Sequence, residues 1–216
     1  MRQVKKSGPS DDAVAALLER RQCPVPFHEV RTRFLGNIAS PLMTASPLDA
    51  VKGLWGGELP ELESLDAVNE LVGALVMGLW NRLTVHQDRR AAFRLVRFEV
   101  PPAREGVARI ALVRRQEIDG FVEGLFGNEE TIELPERAHQ ALNVLSEMRA
   151  MLAGIVDLME DRTKPATPED LAQVLRNIQQ LTIAGETEIH KAVLSCARAR
   201  RHAMSQSSAT RRPPLQ

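Results

Sequence analysis

Between Leu65 and Leu83, apolar side chains return at nearly every third or fourth position. They are Leu65, Val68, Leu71, Val72, Leu75, Val76, Leu79 and Leu83. That spacing gathers them into one wide stripe of an α-helix. Ser64 stands in front as an N-cap, and Asp66 sits in the first turn, where the helix dipole favours an acid. Run to Val85, the helix would be about 30 Å long. Such a stripe must be covered, so it demands further helices around it. Gly73 and Gly78 each cost about 1 kcal/mol against alanine in a helix interior. Close approach of another helix would explain both.

The rest of the chain supplies those helices. Ser10, Asp11 and Asp12 open a short one over Ala13 to Gln22, closed by Pro24 and Pro26. Phe27, Val30, Phe34 and Ile38 recur at helical spacing, and Pro41 ends that run. Ser46-Pro47 begins a short helix through Trp55. Gln116 to Phe126 is helical and stops at Gly127-Asn128. Pro135 opens a long helix to about Glu160. Thr167-Pro168-Glu169-Asp170 starts another, expected to reach about Ala203. The period changes between these. Phe93 to Val100 and Val107 to Val113 are rich in β-branched and aromatic residues, with Pro101, Pro102 and Glu105-Gly106 between them. They read as a small two-stranded hairpin, with helical continuation from Arg89 as the rival. The expected fold is mainly α: one domain of about seven to eight helices with one small β-hairpin. Residues 1–9 are expected as a flexible tail, 10–204 as the helical domain and 205–216 as a disordered tail.

Composition narrows the function classes. The chain has 216 residues, 26% of them charged, and no net charge. No global field points to nucleic acid or membrane. The most apolar stretch, Leu71 to Trp80, is too short to span a bilayer. The N-terminus has basic residues but no apolar run behind them, so no secretory signal is read there. Cys23 and Cys196, the only cysteines, make no disulfide framework. A cytoplasmic location is the expectation.

Catalytic signatures are missing from the sequence. There is no phosphate-binding glycine loop, no His-Glu-x-x-His and no nucleophile elbow. His28, His86, His139, His190 and His202 do not pair at ligand spacing, and read as surface or half-buried side chains. Cys196 with His202 resembles half a zinc site, but a buried thiol is the simpler reading. Glu58, Glu61, Glu63 and Asp66 cluster around a loop; a solvated loop explains them, and a hard-cation site is the alternative. Neither cofactor nor metal is expected.

Charge is unevenly distributed. Arg89, Arg90, Arg94, Arg97, Arg104, Arg109, Arg114 and Arg115 are opposed only by Glu99 and Glu105, a net of +6 over residues 89–115. Residues 116–170 carry a net of −9, and 191–216 a net of +6. The arginine-rich segment could meet phosphates. It could equally pair with the acidic helices of the same molecule or of another. The absence of tyrosine and a 4% aromatic share argue against a stacking platform for single strands.

A family resemblance rests on several segments in order. These are FLGNIASP (Phe34 to Pro41), Pro47 to Gly56 around Trp55, GELPELESLDAVNELVGALVMGLWNRL (Gly57 to Leu83) and DGFVEGLFG (Asp119 to Gly127). This order resembles the YecA/YgfB-type family of bacterial helical proteins. The resemblance covers roughly Phe27 to Gly127. It implies an all-helical fold with at most a small hairpin. Phe34, Trp55, Trp80, Asn81, Gly120 and Phe121 are the matching positions, and packing is their expected role; Asn81 could cap or staple an inter-helix turn, by bonding nearby backbone. Arg33 stands where a glycine would precede Phe34-Leu35. The Cys/His-rich zinc module that many members carry at the C-terminus is lacking.

The expected function is therefore a non-enzymatic protein-binding or regulatory module, with another protein or a second copy as partner. The alternative is a nucleic-acid or ribosome-associated factor using the eight arginines. A metal-dependent enzyme built from Glu58, Glu61, Glu63 and a histidine is the third reading.

Overall fold

The computed structural model describes residues 9–210. Seven helices follow in order: α1 Asp11–Arg20, α2 Phe27–Ala39, α3 Pro47–Gly53, α4 Leu65–Val72, α5 Arg104–Phe126, α6 Glu136–Glu160 and α7 Pro168–Thr210. Four of these starts, those of α1, α3, α4 and α7, carry side-chain caps. The hydroxyls of Ser10, Ser46 and Ser64 accept the N–H groups of Ala13, Leu48 and Ala67, each at 3.2 Å. Thr167 and Asp170 cap each other: Asp170 N–H donates to Thr167 Oγ1 at 3.2 Å, and Thr167 N–H to Asp170 Oδ2 at 3.0 Å. Each pair satisfies donors that a helix start leaves open.

α4 does not end at Val72. It passes into a π-helical stretch, Gly73–Trp80, then a turn, Asn81–Leu83, and a 3₁₀ turn, Thr84–Gln87. The reason lies in the spacing of the buried residues. Ala67, Leu71, Leu75, Leu79 and Leu83 are buried at steps of four. Four residues overshoot a 3.6-residue turn, so a plain α-helix would rotate them off the core. The wider i→i+5 turn brings them back. No helix packs on the two glycines, contrary to expectation. A Cβ on Gly73 would meet nothing within 4 Å, and Gly78 is approached by the Pro9 ring at 3.0 Å.

α5 is the central helix, packed between α2 and α6, and α7 closes over α6. α2 and α5 meet backbone to backbone. A Cβ on Gly36 would overlap the Phe121 carbonyl, one on Gly124 the Arg33 carbonyl, and one on Gly120 would lie 2.7 Å from the Glu29 carbonyl. Phe34 and Phe121, next to these glycines, are fully buried. One apolar core runs from Val14 of α1 to Cys196 of α7.

The hairpin is absent: no strand occurs among the described residues. Val107 to Val113 belongs to α5. Its buried residues Val107, Ile110, Ala111 and Arg114 keep helical spacing through Ile118 and Phe121, and packing on both sides overrides β propensity. Phe93 and Leu95 are buried with Arg94 exposed between them, but the alternation breaks at Arg97, which is exposed. Phe93 to Val100 joins no second strand. The rival helix from Arg89 is absent as well. At the C-terminus, α7 continues through Thr210, past Ser205, where disorder was expected to begin. Residues 1–8 and 211–216 of the expected tails lie outside the described residues.

Candidate functional site

The segment 93–98 needs partners for its backbone, and side chains supply them. Leu95 N–H donates to Glu186 Oε1 at 3.0 Å, and Val96 N–H to Glu117 Oε1 at 2.8 Å. Arg114 Nη2 donates to the Val96 carbonyl at 2.6 Å. Arg114 also pairs with Glu117 and donates to Thr182 Oγ1 at 3.0 Å. All four of Arg114, Glu117, Thr182 and Glu186 are buried. Burial pushes the Glu117 carboxyl above its ordinary pKa, against the pull of Arg114. This network does the work of a missing strand. Sequence reading did not find it as a unit. The available signal was Arg114 and Glu117 falling in phase with Ile110, Ile118 and Phe121, on the buried side of α5.

The eight arginines of 89–115 do not form one exposed face. Arg114 is buried. Arg94 and Arg97 both hold Glu186 at 2.6 Å. Arg104 donates to the carbonyls of Leu158, Met159 and Asp161 at the end of α6, where a cation complements the dipole. Arg109 lies over the Phe98 ring, 5.7 Å from its centre. Arg115 is half-buried, and Arg89 and Arg90 are exposed.

The resemblance positions hold the helices together. Trp55 Nε1 donates to the Arg21 carbonyl at 3.4 Å, and Trp80 Nε1 to Asn37 Oδ1 at 3.1 Å. Asn81 Nδ2 donates to the Met77 carbonyl at 3.4 Å, one turn earlier in the chain. Arg33 ties α2 to its neighbours. It donates to Glu29 Oε1 at 3.1 Å and the Gly53 carbonyl at 3.3 Å, and it pairs with Glu123. Arg33 and Glu123 line a cavity of about 520 Å³ with Asn37, Ser40 and Asp49. Their charges already satisfy each other there.

A second cavity has a different character. Between α5, α6 and the 130–134 loop lies a groove of about 690 Å³. Ile118, Val122, Phe126, Ile132, Leu134 and Leu142 line it. All but Ile118 are half-buried, so apolar surface remains to be covered. Asp119, Glu123 and Glu130 stand at its edge with His139 and Arg149. Asp119 pairs with Arg149.

The histidines stay apart from these sites or sit at their edges. His28 Nε2 bonds Gln116 Oε1 at 2.9 Å, and His86 Nδ1 bonds the Ala91 carbonyl at 2.8 Å. Burial lowers the pKa of both. Cys196 is fully buried, and burial pushes its thiol up to about 11. Among the described residues, no three His, Cys, Asp or Glu side chains converge to hold a metal. Glu58, Glu61 and Glu63 are therefore not brought together with a histidine. Among the described residues, no helix is long and apolar enough to cross a membrane.

Comparison with family models, with curated proteins and with solved structures returned no match.

Proposed function

We propose that this chain is a cytoplasmic, non-enzymatic protein-binding module of YecA/YgfB type, and that its partner docks in the groove between α5 and α6. The groove's half-buried apolar side chains carry this reading. Covering a side chain such as Val122 or Leu142 completely stabilises a complex by up to about 1.5–3 kcal/mol. The edge indicates the occupant's chemistry. Glu130 is exposed, with Glu129 beside it, while the edge's Arg149 is spent on Asp119. A partner segment with apolar side chains next to lysine or arginine fits that edge.

Affinity purification from the source cells, with and without nuclease, tests this. The comparison is between the native chain and the variants Val122→Glu and Leu142→Glu, which alter half-buried positions. A protein that survives nuclease and is lost from both folded variants is the expected result. Full retention by both variants would remove the groove from the function.

A further inference from the structure

We infer that a different groove, between α6 and α7, binds the sugar–phosphate backbone of a nucleic acid without reading its sequence. Arg89, Arg137, Lys191 and Arg198 line this groove of about 650 Å³, and Glu188 is its one acid. Lys191 holds Glu188 at 2.7 Å. Arg89, Arg137 and Arg198 are exposed, and among the described residues their guanidinium groups have no acceptor. Several other arginines are held: Arg33, Arg94, Arg97, Arg104 and Arg114 bond carboxylates or carbonyls. Three free guanidiniums thus share one concave place. They arrive from the 3₁₀ turn's exit, the first turn of α6 and the middle of α7.

The chemistry of the lining selects the ligand. Planar guanidiniums bind phosphate oxygens in pairs, and exposed ones lose little hydration in doing so. Gln140 and Ser195 add neutral donors, while Ala141, Val144 and Leu194 give apolar contact. No aromatic ring lines the groove, so there is no platform for stacked bases. Contacts to phosphate and sugar hold a strand without selecting sequence. Arg201, one turn beyond Arg198 and exposed, extends the cationic surface along α7. The groove is separate from the proposed protein site. His139, Leu142, Asn143 and Ser146 face the apolar groove; Arg137, Gln140, Ala141 and Val144 lie on the opposite side of α6.

The experiment is fluorescence anisotropy with a short labelled DNA duplex and an RNA duplex of the same sequence, across a salt series. The native chain should bind both. Its log affinity should fall with log salt at a slope of about −3, from three free guanidiniums at about 0.9 each. Arg137→Glu with Arg198→Glu should weaken binding at least about tenfold and reduce the slope by about two. Arg137→Lys with Arg198→Lys should retain most of it. Arg162→Glu, whose partner is the exposed Glu105, should bind as the native chain does. Circular dichroism checks the fold, and Arg137→Gln and Arg198→Gln singly replace the reversal if it unfolds. Val122→Glu should leave this binding intact, which separates the two grooves. No binding by the native chain, or full binding by the folded reversal or by both glutamine variants, would overturn the proposal. So would binding confined to vesicles of anionic lipid or to a polyglutamate peptide.

Discussion

Glu186 Oε1 accepts the backbone N–H of Leu95 at 3.0 Å, joining residues ninety-one positions apart. The acceptor sits on α7 and is 2% exposed. With Glu117 and Arg114 it gives the 93–98 segment hydrogen bonds that a neighbouring strand would otherwise provide. Phe93 and Leu95 can therefore be buried while Arg94 and Arg97 return to hold the same carboxylate.

Removing that carboxylate leaves a buried N–H without a partner. Glu186→Ala should cost about 3 kcal/mol in urea unfolding. Glu186→Gln should recover part of this, since its amide oxygen can still accept Leu95 N–H. A loss under about 0.5 kcal/mol for the alanine variant would show that the segment does not depend on this bond.

The α2–α5 crossing depends on having no Cβ at its centre. Gly124→Ala forces a methyl into the Arg33 carbonyl and should cost about 3 kcal/mol. Gly154→Ala is the opposite case. Nothing lies within 4 Å of a Cβ there, in the exposed interior of α6. It should stabilise by about 0.5–1 kcal/mol. Thermal unfolding of the two variants separates close packing from helix propensity.

Acid should destabilise the protein through His28 and His86. Burial lowers both below the ordinary 6.5. The unfolded chain then binds more protons below that pH, so their contribution is complete above pH 6.5 and declines as pH falls from there. Glu117 acts with the opposite sign. Its raised folded pKa gives a contribution present at low pH and lost as pH rises from 4.5 through the folded value. His28→Gln and His86→Gln should each flatten the decline in stability below pH 6.5. An unchanged slope in both would contradict their burial as neutral rings.

Thiol chemistry should distinguish the two cysteines. Cys196, with its pKa near 11 and no exposure, offers almost no thiolate at neutral pH. Cys23 is half-buried and also raised by burial. A thiol reagent should label Cys23 slowly and Cys196 only on unfolding, as followed by mass spectrometry of peptides. Equal labelling in the folded state would contradict the packing of α7.

Helix starts were legible because capping is local. Ser10, Ser46, Ser64 and Thr167 each act on a residue two or three positions away, so a short window of sequence contains the whole interaction. The stripe from Leu71 to Leu83 was legible too, although its π-helical turns were not. Those turns follow from steps of four needing one buried direction, which depends on where the core lies. Residues 107–113 were misread because their β-branched content outweighed a helical period that shows clearly only when Arg114 and Glu117 are counted as buried.

The sequence by itself determined that the chain would be helical, and where most of its helices begin. Tertiary structure alone decided what the charged residues do. It buried Arg114 and Glu117 beside Glu186, spent Arg94 and Arg97 on that carboxylate, and left Arg89, Arg137 and Arg198 together without acceptors. The physical reason is range. A cap or an apolar period acts over one or two turns of chain. The energy of a charge depends on its burial and on which opposite charge lies within a few ångströms, and those neighbours are set by segments far apart in the chain.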